Sequence, residues 1–442
     1  MWVVNRKKTG EKMKKMVKMS MAAVMMMGIG SVSAQAEEVD ILSNIKAKGE
    51  IRARYEMVDQ DKKDNANAFT NRLTIGVGAD LLGTDWLSAY AEMTDVHALN
   101  DNYNSTSNGQ INHATVADPE QTRLTQAYID VKMGKTLLRA GRQMVNLDNQ
   151  RFIGAVGWRQ MPQTYDALVL VNNDVENLAL IAAYVTQVMR VFDDSTAAGS
   201  LDTRSVILHA DYKVMDELKI TAYAYMLGAG TGATYANNLN GEIGAGSDTY
   251  GIALTGDVKA ADGVKVSYRA EYAKQTDATM ENSAFVDASP SLNNVDADYM
   301  NFELNANVSG ILAGVRYEVL SGTNGADGNT AFSTPLATLH GQNGWADMFL
   351  TTPKAGLEDI NIMLGYTSKD FGKLQVIYHD FQSEVGSTDY GTEIDAVYSR
   401  AIPGVNNLSG MLKFADFNAD SKGGYVDTTK FWVMLDYKFA SK

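Results

Sequence analysis

The 442-residue sequence contains no cysteine. Disulfides and thiolate metal sites are therefore excluded, and the redox compartment leaves no mark on the composition. Proline is scarce, with six residues in all, which suits long pleated strands because proline cannot donate to a ladder. Beyond residue 36 no stretch reaches the roughly 18 apolar residues of a membrane-spanning helix. With a mean hydropathy of −0.20, a polytopic helical membrane protein is excluded. Histidine is limited to His97, His113, His209, His340 and His379. His209 shares a strand face with Asp211, but a barrel phospholipase needs a serine–histidine pair on the membrane-facing side, where Val206, Leu208 and Ala210 stand. Acidic loops such as Asp193-Asp-Ser-Thr match no calcium-loop spacing. No enzymatic activity, cofactor or metal is expected.

What the chain does have begins with an address. Lys12 to Lys18 is basic, Met19 to Ile29 is apolar, and Ala34-Gln-Ala36 closes an A-x-A cleavage pattern before Glu37. Residues 1–36 read as a secretory signal peptide. Met13 is a second candidate start, which leaves residues 1–12 as an upstream extension. Cleavage removes seven basic groups and Glu11, so the net charge falls from −14 to −14 − 6 = −20. A chain this acidic is not expected to bind nucleic acid.

From residue 37 to 442 the recurrent signal is period-two alternation. Ile51, Ala53, Tyr55 and Met57 oppose Glu50, Arg52, Arg54 and Glu56. Leu73, Ile75 and Val77 oppose Arg72, Thr74 and Gly76, and the division returns at 87–94, 123–133, 264–272 and 300–308. Runs near 163–171 and 178–188 alternate poorly, so their register stays open. The last strand sets Phe431, Val433, Leu435, Tyr437 and Phe439 on one side, resembling the carboxyl-terminal signal read by the outer-membrane barrel-assembly machinery.

Short connections (82–85, 134–135, 173–176, 214–217, 259–263, 309–311, 369–373, 402–407) alternate with longer polar ones (58–68, 99–119, 147–162, 190–203, 229–247, 276–298, 322–357, 384–391, 418–428). Short periplasmic turns against long outer loops is the pattern of bacterial outer-membrane barrels, and counting the runs gives about 18 strands. A β-propeller has similar spacing but lacks the strict division into apolar and charged faces. The expectation is an all-β protein, a transmembrane antiparallel β-barrel with its amino terminus in the periplasm. Its surroundings are outer-membrane lipid and lipopolysaccharide.

A channel selects by radius and rings of charge. Ten arginines of the mature chain precede residue 221 and three follow it. They centre on a hairpin, 136–171, in which arginines interrupt apolar strands. Arginine binds carboxylates through two parallel hydrogen bonds and keeps its charge. Candidate pore-lining residues are Arg54, Arg72, Arg123, Tyr128, Asp130, Lys132, Arg139, Arg142, Arg151 and Arg159, with Arg54, Arg72, Arg123, Arg139 and Arg159 expected on one wall and Lys132 and Asp130 beneath them. The competing reading pairs these arginines with neighbouring carboxylates to fill a wide lumen, as Arg52 and Arg54 with Glu50 and Glu56; the inner face is expected to carry Glu50, Asp80, Glu92, Asp130, Asp211, Glu271 and Glu303 as well. Arg139 and Arg142 have opposite parity, so both face inward only if a bulge or early strand end intervenes. The loop 322–357 is too apolar to wave in water. It either constricts the lumen or caps the rim, with Trp345, Asp347 and Phe349 as constriction residues.

Gly141-Arg-Gln143, Asn146, Arg151, Gly157-Trp-Arg-Gln160 and Tyr165-Asp166, together with Pro335-Leu-Ala-Thr338, His340, Gly344-Trp-Ala-Asp347, Phe349-Leu350 and Gly356-Leu-Glu-Asp359, resemble the alginate-export family of outer-membrane proteins. The resemblance implies an eighteen-stranded barrel whose arginine-rich lumen passes an anionic polyuronate outward. The chain departs from that family at Ile402-Pro-Gly-Val-Asn-Asn407, a turn too short to plug a pore from the periplasm. The expected function is a channel for small solutes or anionic saccharides; the alternatives are a general porin, or a structural or adhesive barrel without transport.

Overall fold

A computed structural model describes residues 41–228, 246–279, 295–323 and 330–441. The signal peptide and most of the loops at 229–247 and 276–298 lie outside the described residues.

Eighteen strands form one closed sheet. In chain order they are β1 (Leu42–Gln60), β2 (Ala66–Leu81), β3 (Leu87–Ala98), β4 (Gln121–Met133), β5 (Thr136–Gln143) and β6 (Thr164–Asn172). Then come β7 (Leu178–Met189), β8 (Ser200–Met215), β9 (Leu218–Leu227), β10 (Ser247–Ala261), β11 (Val264–Thr276) and β12 (Asp296–Val308). The last six are β13 (Ile311–Leu320), β14 (Leu357–Ser368), β15 (Gly372–Gln382), β16 (Asp389–Ala401), β17 (Leu408–Ala419) and β18 (Thr428–Ala440). Each strand pairs antiparallel with its neighbours in sequence, and β1 pairs with β18 to close the barrel. Closure leaves no free edge, which a bilayer demands because lipid cannot satisfy backbone groups. The odd strands run outward, since the long connections follow them.

The faces are inverted relative to a soluble protein. Leu364 is 61% exposed and Ile129 49%, whereas Arg54 and Glu56 are each 1% exposed. Apolar residues meet lipid and charged ones fill the interior, as the alternation requires. The two poorly alternating runs, β6 and β7, have a local cause. Their inward residues Tyr165, Ala167, Val169 and Val185 belong to one buried apolar cluster with Phe152 and Ile153 of the 144–163 loop. That part of the lumen is a dry core, so both strand faces are apolar.

β5 settles the parity of its two arginines without a bulge. Arg139 stands opposite Asp130, and Arg142 stands opposite Ala127 and Asp166 in unbroken register. Ala127 and Asp166 share their faces with the exposed Ile129 and Leu168. Arg142 therefore points to the outer surface of the barrel, where Asp166 holds it bidentately at 2.7 and 2.8 Å. Its expected place in the pore lining is corrected: a regular pleat leaves only one of the two arginines for the lumen.

Candidate functional site

Two outer loops turn inward and meet inside the barrel. The first, 144–163, leaves the short β5–β6 hairpin; the second is the β13–β14 connection, described at 321–323 and 330–356. They join through Gly154 N donating to Leu336 O (2.9 Å), Thr338 N to Gln150 O (3.0 Å) and Val156 N to Thr338 Oγ1 (3.0 Å). Gln342 Nε2 also donates to Asn149 O at 3.2 Å.

The arginines of β1 and β2 hold the first loop. Arg52 Nη1 donates to Gly157 O (2.9 Å), Arg54 Nη1 to Trp158 O (2.6 Å) and Arg72 Nη1 to Arg159 O (3.3 Å). Their other nitrogens meet carboxylates: Asp436 at 3.1 Å from Arg52, Asp118 against Arg54, and Glu50 against Arg72. Asp118 comes from the β3–β4 loop and also accepts from Gln160 N at 2.8 Å. Burial pushes its carboxyl up, but the guanidiniums of Arg54 and Arg159 outweigh that and hold it below the usual range. Nothing in its loop sequence singled Asp118 out.

The second loop is held by β13 to β18. Gly344 sits in the left-handed region at φ +78°, where a Cβ would run into the Glu393 carboxylate. That close approach lets Trp345 N reach Asp395 Oδ2 (3.2 Å) and Ala346 N reach Glu393 Oε1 (2.7 Å). Phe349 is buried among Phe381, Tyr390, Phe417 and Tyr425 at ring separations of 4.6 to 5.9 Å. Burying such a ring contributes about 2–3 kcal/mol.

A latch joins both loops to the wall. His340 stacks on Trp158 at 4.2 Å and 8°. Its Nδ1 donates to Asp347 Oδ1 (2.7 Å), and its Nε2 accepts from Lys413 Nζ (2.7 Å). Lys413 Nζ lies 4.2 Å from the Trp158 ring and 3.7 Å from that of Trp345. Asp347 also binds Arg159 (3.1 Å) and Lys430 (2.9 Å). Burial opposes ionisation of Asp347, but His340, Lys430 and Arg159 hold its carboxyl well below the ordinary range.

Burial, with Lys413 and Arg159 nearby, keeps the His340 imidazole well below its ordinary range. The docked loop thus favours neutral His340, and its stability is complete above the released value near 6.5 and lost as pH falls below it. Protonating Nε2 would break the Lys413 bond and oppose two cations. Channel current should become noisier and larger between about pH 6.5 and 4.5, and His340→Gln should flatten that response in planar-bilayer recordings. A parent current unchanged to pH 4.5 would rule the latch out as the sensor.

Above the junction lies a cavity of about 290 Å³, lined by Arg151, Arg159, Arg190, Phe192, His340, Asn343 and Asp347 among others. Arg151 is 1% exposed, stands 3.1 Å from Glu318, and has no hydrogen-bond partner at Nη1 among the described residues. The candidate residues are therefore not brought together on one wall. Arg54 and Arg72 converge on the first loop, which itself carries Arg159, whereas Arg123 donates to Arg190 O (2.7 Å) and Phe192 O (2.9 Å) and braces the 190–199 loop. Arg139 lies nearer the periplasmic mouth, bidentate to Asp130 (2.6 and 2.7 Å) and 3.7 Å over the Tyr128 ring, with Lys132 exposed at that end of β4.

This architecture defines an outer-membrane β-barrel of the porin type, with a lumen occupied by its own outer loops. A model of the alginate export family matches residues 44–306, more than half of the sequence, and the chain belongs to that family. Among solved structures it is similar to OccAB4 of Acinetobacter baumannii (14% identity, TM-score 0.66, covering 91% of this chain and 100% of that one). It is similar as well to two Pseudomonas aeruginosa proteins. OccK3 (12%, TM-score 0.65) is covered over 98% of its length and 91% of this chain, and OpdK, solved with vanillate (12%, TM-score 0.66), over 99% and 90%. No curated protein sequence matches this chain.

Proposed function

We propose that this outer-membrane channel passes small hydrophilic anions, acidic saccharides among them, through the junction of its two inward loops. The observation that carries the reading is the balance of charge around the outer cavity. Among the described residues, Arg151, Arg159 and Arg190 line it with one carboxylate, Asp347, which already binds His340, Lys430 and Arg159, while Glu318 reaches Arg151 from behind the wall. A buried guanidinium with an unpartnered Nη1, such as Arg151, supplies the donor that a solute carboxylate accepts. Net charge sums the rims and loops, whereas permeation responds to the few groups nearest the narrowing. A general porin is the second reading, favoured by the engagement of Arg52, Arg54, Arg72 and Arg123 in bracing loops. Reversal potentials in a potassium chloride gradient across a planar bilayer decide between them. Anion preference, with current block by an oligouronate, is expected; a cation-selective or unselective pore without block would leave the general porin.

A further inference from the structure

Below the junction, towards the periplasmic mouth, lies a second cavity of about 260 Å³ whose wall is chemically unlike the first. Five side-chain amides line it: Asn149 and Gln342 from the two loops, and Asn305, Asn361 and Gln375 from β12, β14 and β15. Its lining also holds Arg316 and Glu303, of opposite sign and 3.5 Å apart, so their charges offset. Strand register brings the amides together. Asn305 stands opposite Gly314, where a Cβ would collide with the Asn305 amide oxygen, and Asn361 stands opposite His379 one strand further on.

The side-chain amides of Asn305, Asn361 and Gln375 make no hydrogen bond among the described residues. Asn361 is nevertheless only 7% exposed. A primary amide carries two donor hydrogens and an oxygen with two lone pairs, and buried polar groups are almost always paired. Asn305 and Gln375 are partly exposed to the cavity, so with Asn361 they present three amides without protein partners to whatever enters it. Hydroxyl groups match them, since each hydroxyl both donates and accepts. Trp345 lines the same cavity, and its indole offers an apolar wall beside the amides. With the charges offset, the cavity has no reason to prefer an anion.

We propose that this cavity is a subsite for an uncharged, hydroxyl-rich ring of the pyranose type, read by Asn305, Asn361 and Gln375 and bounded by Trp345. The subsite rests on the channel reading above, and it is independent of the anion preference assigned to the outer cavity.

The test uses the full barrel in planar bilayers, with D-glucose as the neutral hydroxylated probe and acetate as an anion without hydroxyls. Glucose added from the periplasmic side should interrupt the ion current saturably. The double variant Asn361→Leu/Gln375→Leu should shorten those interruptions about tenfold, the loss of one or two hydrogen bonds, and leave the response to acetate and the reversal potential unchanged. Arg151→Gln should do the opposite. Where the double variant does not insert, judged by the heat-induced gel shift, Asn305→Ser carries the same comparison. A parent whose current glucose does not interrupt, or variants that keep the parent's interruption times, would overturn the subsite. An anion-selective parent indifferent to glucose refutes the subsite alone, whereas an unselective parent interrupted by glucose refutes the anion preference alone.

Discussion

Excising residues 325–352 should raise single-channel conductance about threefold, because the β13–β14 loop fills space that an eighteen-stranded barrel otherwise leaves to water. The geometry at its base permits the deletion. Thr323 N already donates to Lys354 O at 2.8 Å, so a short glycine–serine link rejoins the chain without straining β13 or β14. The loop takes with it Phe349 from its aromatic pocket and the His340–Asp347 half of the latch. It also takes Leu336 O and Thr338, on which the 144–163 loop rests. That loop keeps its bonds from Arg52, Arg54 and Arg72, so it should stay docked and set the residual conductance. Glu393, Asp395 and Glu318 lose backbone or amide donors, but they then face water and remain solvated. A correctly inserted barrel with unchanged conductance would mean that the 144–163 loop alone limits flow.

The wall of this barrel was legible in the sequence and its interior was not. Alternation at Glu50–Met57 or Leu73–Leu81 fixes a face because the pleat has period two, and loop lengths fix the order of turns. β6 and β7 were illegible for the converse reason. Ala167, Val169 and Val185 face inward into the apolar cluster that includes Phe152 and Ile153, so no polarity difference marks their two faces. Parity also says which way an arginine points without saying what it meets. Arg54 and Arg72 do face the lumen, but what stands opposite them is the backbone of residues 158–160 and the carboxylates Asp118 and Glu50. Those partners come from loops more than 40 residues away, or from the neighbouring strand, and no local pattern encodes them. Asn305, Asn361 and Gln375 were invisible for a different reason, since an inward amide on a barrel strand looks like ordinary lumen filling until its neighbours are known.

Replacing both Arg151 and Arg159 by Gln should move the reversal potential towards cations by more than any pair drawn from Arg72, Arg123 and Arg139. The comparison turns on what each guanidinium already binds. Arg139 is neutralised by Asp130 through two bonds and lies nearer the periplasmic mouth. Arg72 meets Glu50, and Arg123 is committed to carbonyls of the 190–199 loop. Neutralising Arg72 or Arg123 removes a brace, so the expected signature there is current noise rather than altered selectivity. Arg151 and Arg159 line the outer cavity directly, and Arg151 has a donor to spare. A unit charge about 8 Å from a passing ion is worth roughly 2 kcal/mol at an effective dielectric near 20, before screening. Salt at ~0.1 M reduces this, leaving a several-fold change in the anion-to-cation permeability ratio. Arg151→Gln alone should give most of the shift, because its partner Glu318 keeps Arg316, whereas Arg159 also anchors Asp347 and Glu56. The expected ranking is the double variant, then Arg151→Gln, then Arg72→Gln close to the parent. If Arg72→Gln moves selectivity as far as Arg151→Gln does, the ions pass along the β1–β2 wall, and the outer cavity is not the place where charge is read.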